Sequence, residues 1–102
     1  MPLFPVKKEV FEWVKAGSKT IDIRKGGARS GAVAVFQLGA HCLRLQITKK
    51  ETGNLREIVR PDNFRSIIPT AENVDGAVEY LQRLYGDGDG LFTAYYLHIP
   101  KK

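Results

Sequence analysis

Gly17-Ser18-Lys19-Thr20-Ile21-Asp22-Ile23-Arg24 is the stretch on which the fold turns. Its glycine ends a helix and the residues that follow make a strand. Upstream, Val6, Val10, Trp13 and Val14 fall at helical spacing with Phe11 beside them, while Lys8, Glu12 and Lys15 take the opposite face. Pro5 suits the opening turn of that helix, where its missing N–H leaves no bond unmade. Gly17 stops it, as glycine does just past a helix C-terminus. The predicted helix has about three turns. Along the strand, Thr20, Asp22 and Arg24 alternate with Lys19, Ile21 and Ile23, a period of two with β-branched residues. Asp22 and Arg24 therefore project from one face.

Working outward, Lys25 to Gly31 is a loop by its glycines. Ala32–Leu38 is a nearly continuous apolar strand, Gly39-Ala40 a turn, and residues 41–48 alternate again as a strand. Lys49 to Asn54 reads as a polar turn and Leu55–Val59 as a short strand. Pro61-Asp62-Asn63 opens a turn or short helix holding Phe64, Ile67 and Ile68, which Pro69 closes. A longer helix follows, capped by Asn73 or Asp75. Its stripe is Val74, Ala77, Val78, Leu81, Leu84 and Tyr85. A glycine loop ends it. Leu91–Ile99 is a last strand rich in aromatics, and Pro100-Lys101-Lys102 reads as a frayed tail. Strands and helices do not alternate regularly, which argues against a parallel doubly wound sheet. The expectation is an α+β domain spanning residues 1–102: a small curled sheet or barrel with helices at its ends.

The 102 residues carry a formal net charge of +5, unevenly placed. Residues 1–30 hold a net +4 and residues 71–100 a net −4. Such polarity lets one face meet phosphate while another repels it. No apolar run approaches the roughly 20 residues that span a bilayer, so a membrane partner is not expected. The start of the chain lacks the pattern of a signal peptide. Cys42 is the one cysteine, so an internal disulfide is excluded. The expected compartment is the reducing cytoplasm.

Lys19, Asp22 and Arg24 are the first constellation with chemistry in it. A carboxylate beside a guanidinium orients it for bidentate contact with phosphate or a base edge. Spacing alone also fits an ordinary solvated strand edge. The loop from Arg24 to Gly31 adds Lys25 and Arg29 among glycines, a pattern that suits either an anion nest or a flexible turn. No Walker-type Gly-Lys-Ser/Thr closes it. His41 and His98 lie in separate strands without metal-ligand neighbours and read as structural; Cys42 reads as a small buried hydrophobe. Asp87 and Asp89 lack calcium-loop spacing. No metal and no cofactor is expected. Trp13, Tyr95 and Tyr96 are able to stack on bases, although aromatics at such spacing more often form core.

The segment Gly17–Arg24 after its helix resembles the signature of the ASCH domain family, Gly-x-Lys-x-x-Glu-x-Arg, within the PUA-like superfamily. The resemblance runs over nearly the whole chain. Gly31 and the strand to Leu38, the short helix Phe64-Arg65-Ser66-Ile67-Ile68-Pro69, and the helix to Leu84-Tyr85 with its glycine loop and final strand all follow the family's order. It implies a PUA-like β-barrel of about five to six strands with flanking helices around a cleft lined by the motif.

The resemblance also implies a ligand: RNA, or a nucleotide-derived molecule. Lys19, Asp22, Arg24, Lys25 and Arg29 become the candidate binding residues. Some members resemble enzymes, which makes Lys19 and Asp22 candidate catalytic residues. One branch hydrolyses N4-acetylcytidine with a lysine base, a threonine nucleophile and a distant glutamate; another member is a ribonuclease. In this chain the threonine position is Asp22, the acidic motif position is one methylene shorter than glutamate, Gly31-Ala32 replaces a common Gly-Asp, and Glu72 stands only near the distant glutamate's place. RNA or nucleotide binding is the leading expectation. Hydrolysis of a modified nucleoside or of RNA is the second, and a non-catalytic protein-interaction role of the acidic C-terminal half the third.

Overall fold

In the computed structural model, which describes residues 3–86 and 88–98, nine elements follow one another. They are β1 (Leu3–Pro5), α1 (Lys8–Lys15), β2 (Ile21–Lys25), β3 (Val33–Leu38), β4 (His41–Gly53), α2 (Leu55–Ile58), α3 (Phe64–Ile67), α4 (Val74–Tyr85) and β5 (Phe92–His98). The strands form one mixed sheet in the order β1-β3-β4-β5-β2. Only β1 with β3 is parallel; the other pairs are antiparallel.

The sheet curls, and its two faces are buried by different partners. Ile21, Ile23, Phe92 and Ala94 pack beneath α2, α3 and α4. Phe4, Phe36, Tyr95 and Leu97 face the hollow of the curl, where Val10 and Val14 of α1 plug it. Because β5 is covered on both sides, its residues from Phe92 to Leu97 are buried or half-buried on either face. This is why β5 reads as an almost unbroken apolar run rather than an alternating one.

The expected barrel does not close. Five strands make a half-barrel, and β1 and β2 are its free edges. The edge groups are met by side chains. On β1, the carbonyl of Pro5 accepts from Arg24 Nη1 and that of Leu3 from Arg29 Nη1, both at 3.2 Å. On β2, the carbonyl of Ile21 accepts from Lys19 Nζ at 2.9 Å and that of Ile23 from the Tyr85 hydroxyl. Two strand edges are thus satisfied without pairing with each other, which also blunts them as templates for foreign strands.

Three local expectations change. Pro5 belongs to β1 and not to a helical turn; α1 starts at Lys8. Lys49 to Gly53 continues β4 past a bulge, because Lys50 pairs with Tyr95 and Thr52 with Thr93, where the two hydroxyls lie 3.2 Å apart. Residues 55–58 are helical rather than extended. Asn54 Oδ1 accepts from the Glu57 amide at 3.0 Å and Glu57 Oε1 from the Asn54 amide at 2.9 Å, a reciprocal cap that the Asn-x-x-Glu spacing encodes. The cap of α4 is Asn73, whose side chain accepts from Gly76 N at 2.7 Å. Gly86, with φ of 75°, ends that helix in the left-handed region. The expected final strand ends at His98 within the described residues; Ile99 and the tail lie outside them. No helix among the described residues is long and apolar enough to cross a membrane.

Phe4 holds β1 in place. It is fully buried, meets Phe36 edge-on at 5.6 Å and tilts against Tyr95 at 5.0 Å. Phe4→Ala should lower the unfolding free energy by about 3–5 kcal/mol in a urea titration; a loss below about 1 kcal/mol would mean that β1 is not anchored as described.

Candidate functional site

Where the half-barrel fails to close, a cavity of about 310 Å³ opens between the two edges. Pro5, Val6, Lys7 and Val10 form one wall. Tyr80, Leu81, Leu84 and Tyr85 of α4 form the other. Lys19, Asp22, Ile23 and Arg24 make the floor. The alternation of β2 explains this division. Ile21 and Ile23 go under the helices, so Asp22 and Arg24 must point toward the seam.

Asp22 is 3 % exposed, yet its carboxylate is well partnered. Oδ2 accepts from Arg24 Nε at 2.6 Å, and Oδ1 lies 4.0 Å from Lys19 Nζ. The carboxylate holds only the Nε side of the guanidinium, and Nη1 reaches the Pro5 carbonyl. The group stacks on Phe4, 4.4 Å from the ring centroid. Arg24 remains 16 % exposed, so it is the member of the trio that reaches the opening. A charge pair buried this deeply is costly to break from one side, about 3–5 kcal/mol.

Lys19 is 3 % exposed, buried despite its charge. Its Nζ donates to the carbonyls of Ile21 at 2.9 Å and Ile67 at 2.5 Å, tying β2 to the end of α3. Burial pulls its pKa down to about 8, against the pull of Asp22; Arg24 lowers it further. With Lys19 protonated, the floor carries two cations and one carboxylate and favours an anion.

Of the sequence candidates, Lys19, Asp22 and Arg24 converge on this cavity, whereas Lys25 and Arg29 do not line it. Lys25, next to Arg24 on the strand, faces the other way. Arg29 sits beyond Phe4, 5.3 Å from its centroid, with its amide donating to Tyr95 Oη at 2.9 Å. Glu72 is exposed and does not line the cavity, so the distant glutamate has no counterpart there. Cys42 is exposed on β4, contrary to its expected burial, because it occupies the uncovered outer face of the sheet opposite Gln37. His41 and His98 are also exposed; His41 lies 6.4 Å from the Phe11 ring. Tyr95 is fully buried, Trp13 packs on Tyr80 at 5.8 Å, and Tyr96 Oη donates to Glu51 at 3.1 Å, so these three serve the core rather than a stacking surface. Asp87 lies outside the described residues. Among the described residues, no group of three or more His, Cys, Asp or Glu side chains is placed to hold a metal.

Two further residues of the cavity, Tyr80 and Tyr85, belong to no motif in the sequence. Tyr80 stands off the apolar stripe of α4 yet is half-buried, with its hydroxyl donating to Glu9 at 3.0 Å and Lys7 Nζ 5.1 Å from its ring. Tyr85, on the stripe, turns its hydroxyl to β2. Burial pushes both phenols up to about 12. Leu84, a stripe residue, is 44 % exposed because its face borders the opening, a placement that no sequence pattern signals.

The buried ammonium gives a pH signature. Lys19 titrates near 8 when folded and near 10.5 when unfolded. Between those values the unfolded chain holds the extra proton, so stability rises with pH across that window. The stability of the wild type relative to Lys19→Met should climb by about 3 kcal/mol from pH 7 to 10.5. The tyrosines titrate in both proteins and cancel. Parallel stability profiles from denaturant titrations would contradict the burial of a charged amine.

No protein-family model and no curated protein matches the sequence. Solved structures do match the fold. The hypothetical protein PH0355 aligns with a TM-score of 0.76 at 14 % identity, covering 94 % of this chain and 95 % of that one. Protein PF0455 from Pyrococcus furiosus gives 0.64 at 17 % identity over 95 % and 94 % of the two chains. ASCH from Zymomonas mobilis gives 0.69 at 14 % identity, covering 95 % of this chain and 66 % of that chain. The five-stranded half-barrel with its four helices is therefore the ASCH fold.

Proposed function

We propose that the protein binds RNA in the cytoplasm by seating one nucleotide unit in the seam cavity. The observation that carries this reading is the floor of Lys19, Asp22 and Arg24 beneath walls of proline, leucine and tyrosine. Apolar walls take the faces of a base or sugar. Asp22 accepts from an N–H or hydroxyl at the floor, and the free side of the Arg24 guanidinium donates to phosphate or to a base carbonyl. Lys7 stands in the wall as a third cation. A volume of about 310 Å³ is at the small end of ligand cavities, roughly 300–1,000 Å³. It suits a single unit rather than a stacked run.

One observation favours a second reading, hydrolysis of a modified nucleoside or of RNA. Lys19, with its pKa near 8, is close to the range of a general base. Its Nζ, however, is engaged by two carbonyls, and Asp22 is engaged by Arg24. Both groups are occupied in holding the seam, which favours binding. Incubation with acylated nucleosides and with RNA separates the readings: turnover abolished by Lys19→Met would establish the enzyme, and its absence leaves binding.

The binding reading predicts detectable RNA affinity at modest ionic strength that weakens as salt rises. Arg24→Ala should reduce it at least tenfold in fluorescence anisotropy titrations. Undetectable binding, or affinity unchanged in that variant, would remove the proposal.

A further inference from the structure

The cations that continue from the cavity lie to one side of it. Phe4 carries Arg24 over its ring at 4.4 Å and Arg29 at 5.3 Å, so the two guanidiniums are neighbours across one aromatic side chain. Lys50 of β4 comes next; its Nζ donates to the Arg29 carbonyl at 2.7 Å. No carboxylate among the described residues forms an ion pair with Arg29 or Lys50. Beyond the α4 wall lies an acidic rim: Glu72, Asp75 and Glu79 stand exposed along α4 and the turn before it, Asp75 paired with Arg56 and Glu79 with Arg83.

We infer that the ligand is a continuing single strand, whose backbone leaves the cavity at Arg24 and runs over Arg29 to Lys50. This rests on the nucleotide reading of the cavity and adds a direction and a preference for length. A polyanion lowers its energy by following cations that lack counter-charges and by avoiding the acidic rim. Successive phosphates released from their counterions at Arg29 and Lys50 give affinity that a single nucleotide does not collect. The loop from Gly26 to Gly31 serves here as a phosphate platform. It is held by the Arg29 amide on Tyr95 and by the Thr93 hydroxyl, which donates to the Gly26 carbonyl at 2.8 Å.

The test compares a mixed-sequence single-stranded hexaribonucleotide with the four nucleoside 5′-monophosphates on the full chain. The wild type should prefer the hexamer by at least tenfold. In the Arg29→Ala/Lys50→Ala variant that preference should fall to less than about threefold. The slope of log affinity against log salt should drop by about 1.4, at about 0.7 per phosphate for a single strand. Lys15→Ala, at the far end of α1, controls for the loss of charge alone and should keep the preference. Arg29 also holds the Leu3 carbonyl, so Lys50→Glu, which leaves that bond intact, must show the same collapse. A wild type that binds hexamer and monophosphates equally would overturn the strand. So would a hexamer preference that survives in both variants, or one that falls as far in Lys15→Ala. If neither probe binds the wild type, the nucleotide reading itself has failed; if both bind and Arg24→Ala weakens both, that reading stands while the strand is judged on the ratio.

Discussion

The seam of the half-barrel is held by side chains where strands would otherwise pair. β1 is only three residues long and ends in proline, so it offers β2 almost no ladder to pair with. Edge carbonyls must still be met. Arg24 and Arg29 meet those of β1, and Lys19 and the Tyr85 hydroxyl meet those of β2. Three of these four donors are cations, and a sheet edge stapled by cations accumulates positive charge. Asp22 offsets part of it, which is why a carboxylate is buried at this place. The structural solution to an unclosed barrel and the chemistry of the cavity are the same residues.

That economy also shapes what the site can do. Lys19 is committed in two directions by backbone carbonyls, and Asp22 orients Arg24. A floor whose polar groups are fixed in advance loses little entropy when a ligand arrives, the usual route to affinity from a small cavity. The same fixity works against a reaction, since a base must exchange its proton and a nucleophile must approach its target. Arg24 alone combines a fixed orientation with an exposed side.

Much of this was legible in the sequence, and the failures have physical causes. Gly17–Arg24 carries the helix end and the strand, and period-two alternation puts Asp22 and Arg24 on one face; Lys19, which alternation places with the isoleucines, joins them because its Nζ turns to the carbonyls of Ile21 and Ile67. α4 was readable from its stripe and its Asn73 cap. At residues 49–53 local polarity hides the context: Lys49-Lys50-Glu51 looks like a turn until Tyr96, Tyr95 and Ala94 are found opposite it. At residues 55–58 the Asn54-x-x-Glu57 cap overrides the apolar pattern of Leu55–Val59 and makes the segment helical. β1 was hidden because a three-residue parallel strand has no period to detect; its existence depends on Phe4 finding Phe36 and Tyr95 across the hollow. Closure was expected from the family resemblance, and no local signal contradicted it. The α4 wall could not be placed, since no sequence pattern says which helix lies across the gap from Pro5.

On the binding reading, the unclosed seam is where the RNA sits. An NMR titration of the labelled protein with single-stranded RNA tests it most directly, because it reports every part of the surface at once. The Arg24 Nε–H resonance and the amides of Lys7, Leu84 and Tyr85 should shift first and saturate together. Shifts confined to the outer face of β3 and β4, or to the acidic rim of α4, with Arg24 Nε–H unmoved, would contradict it.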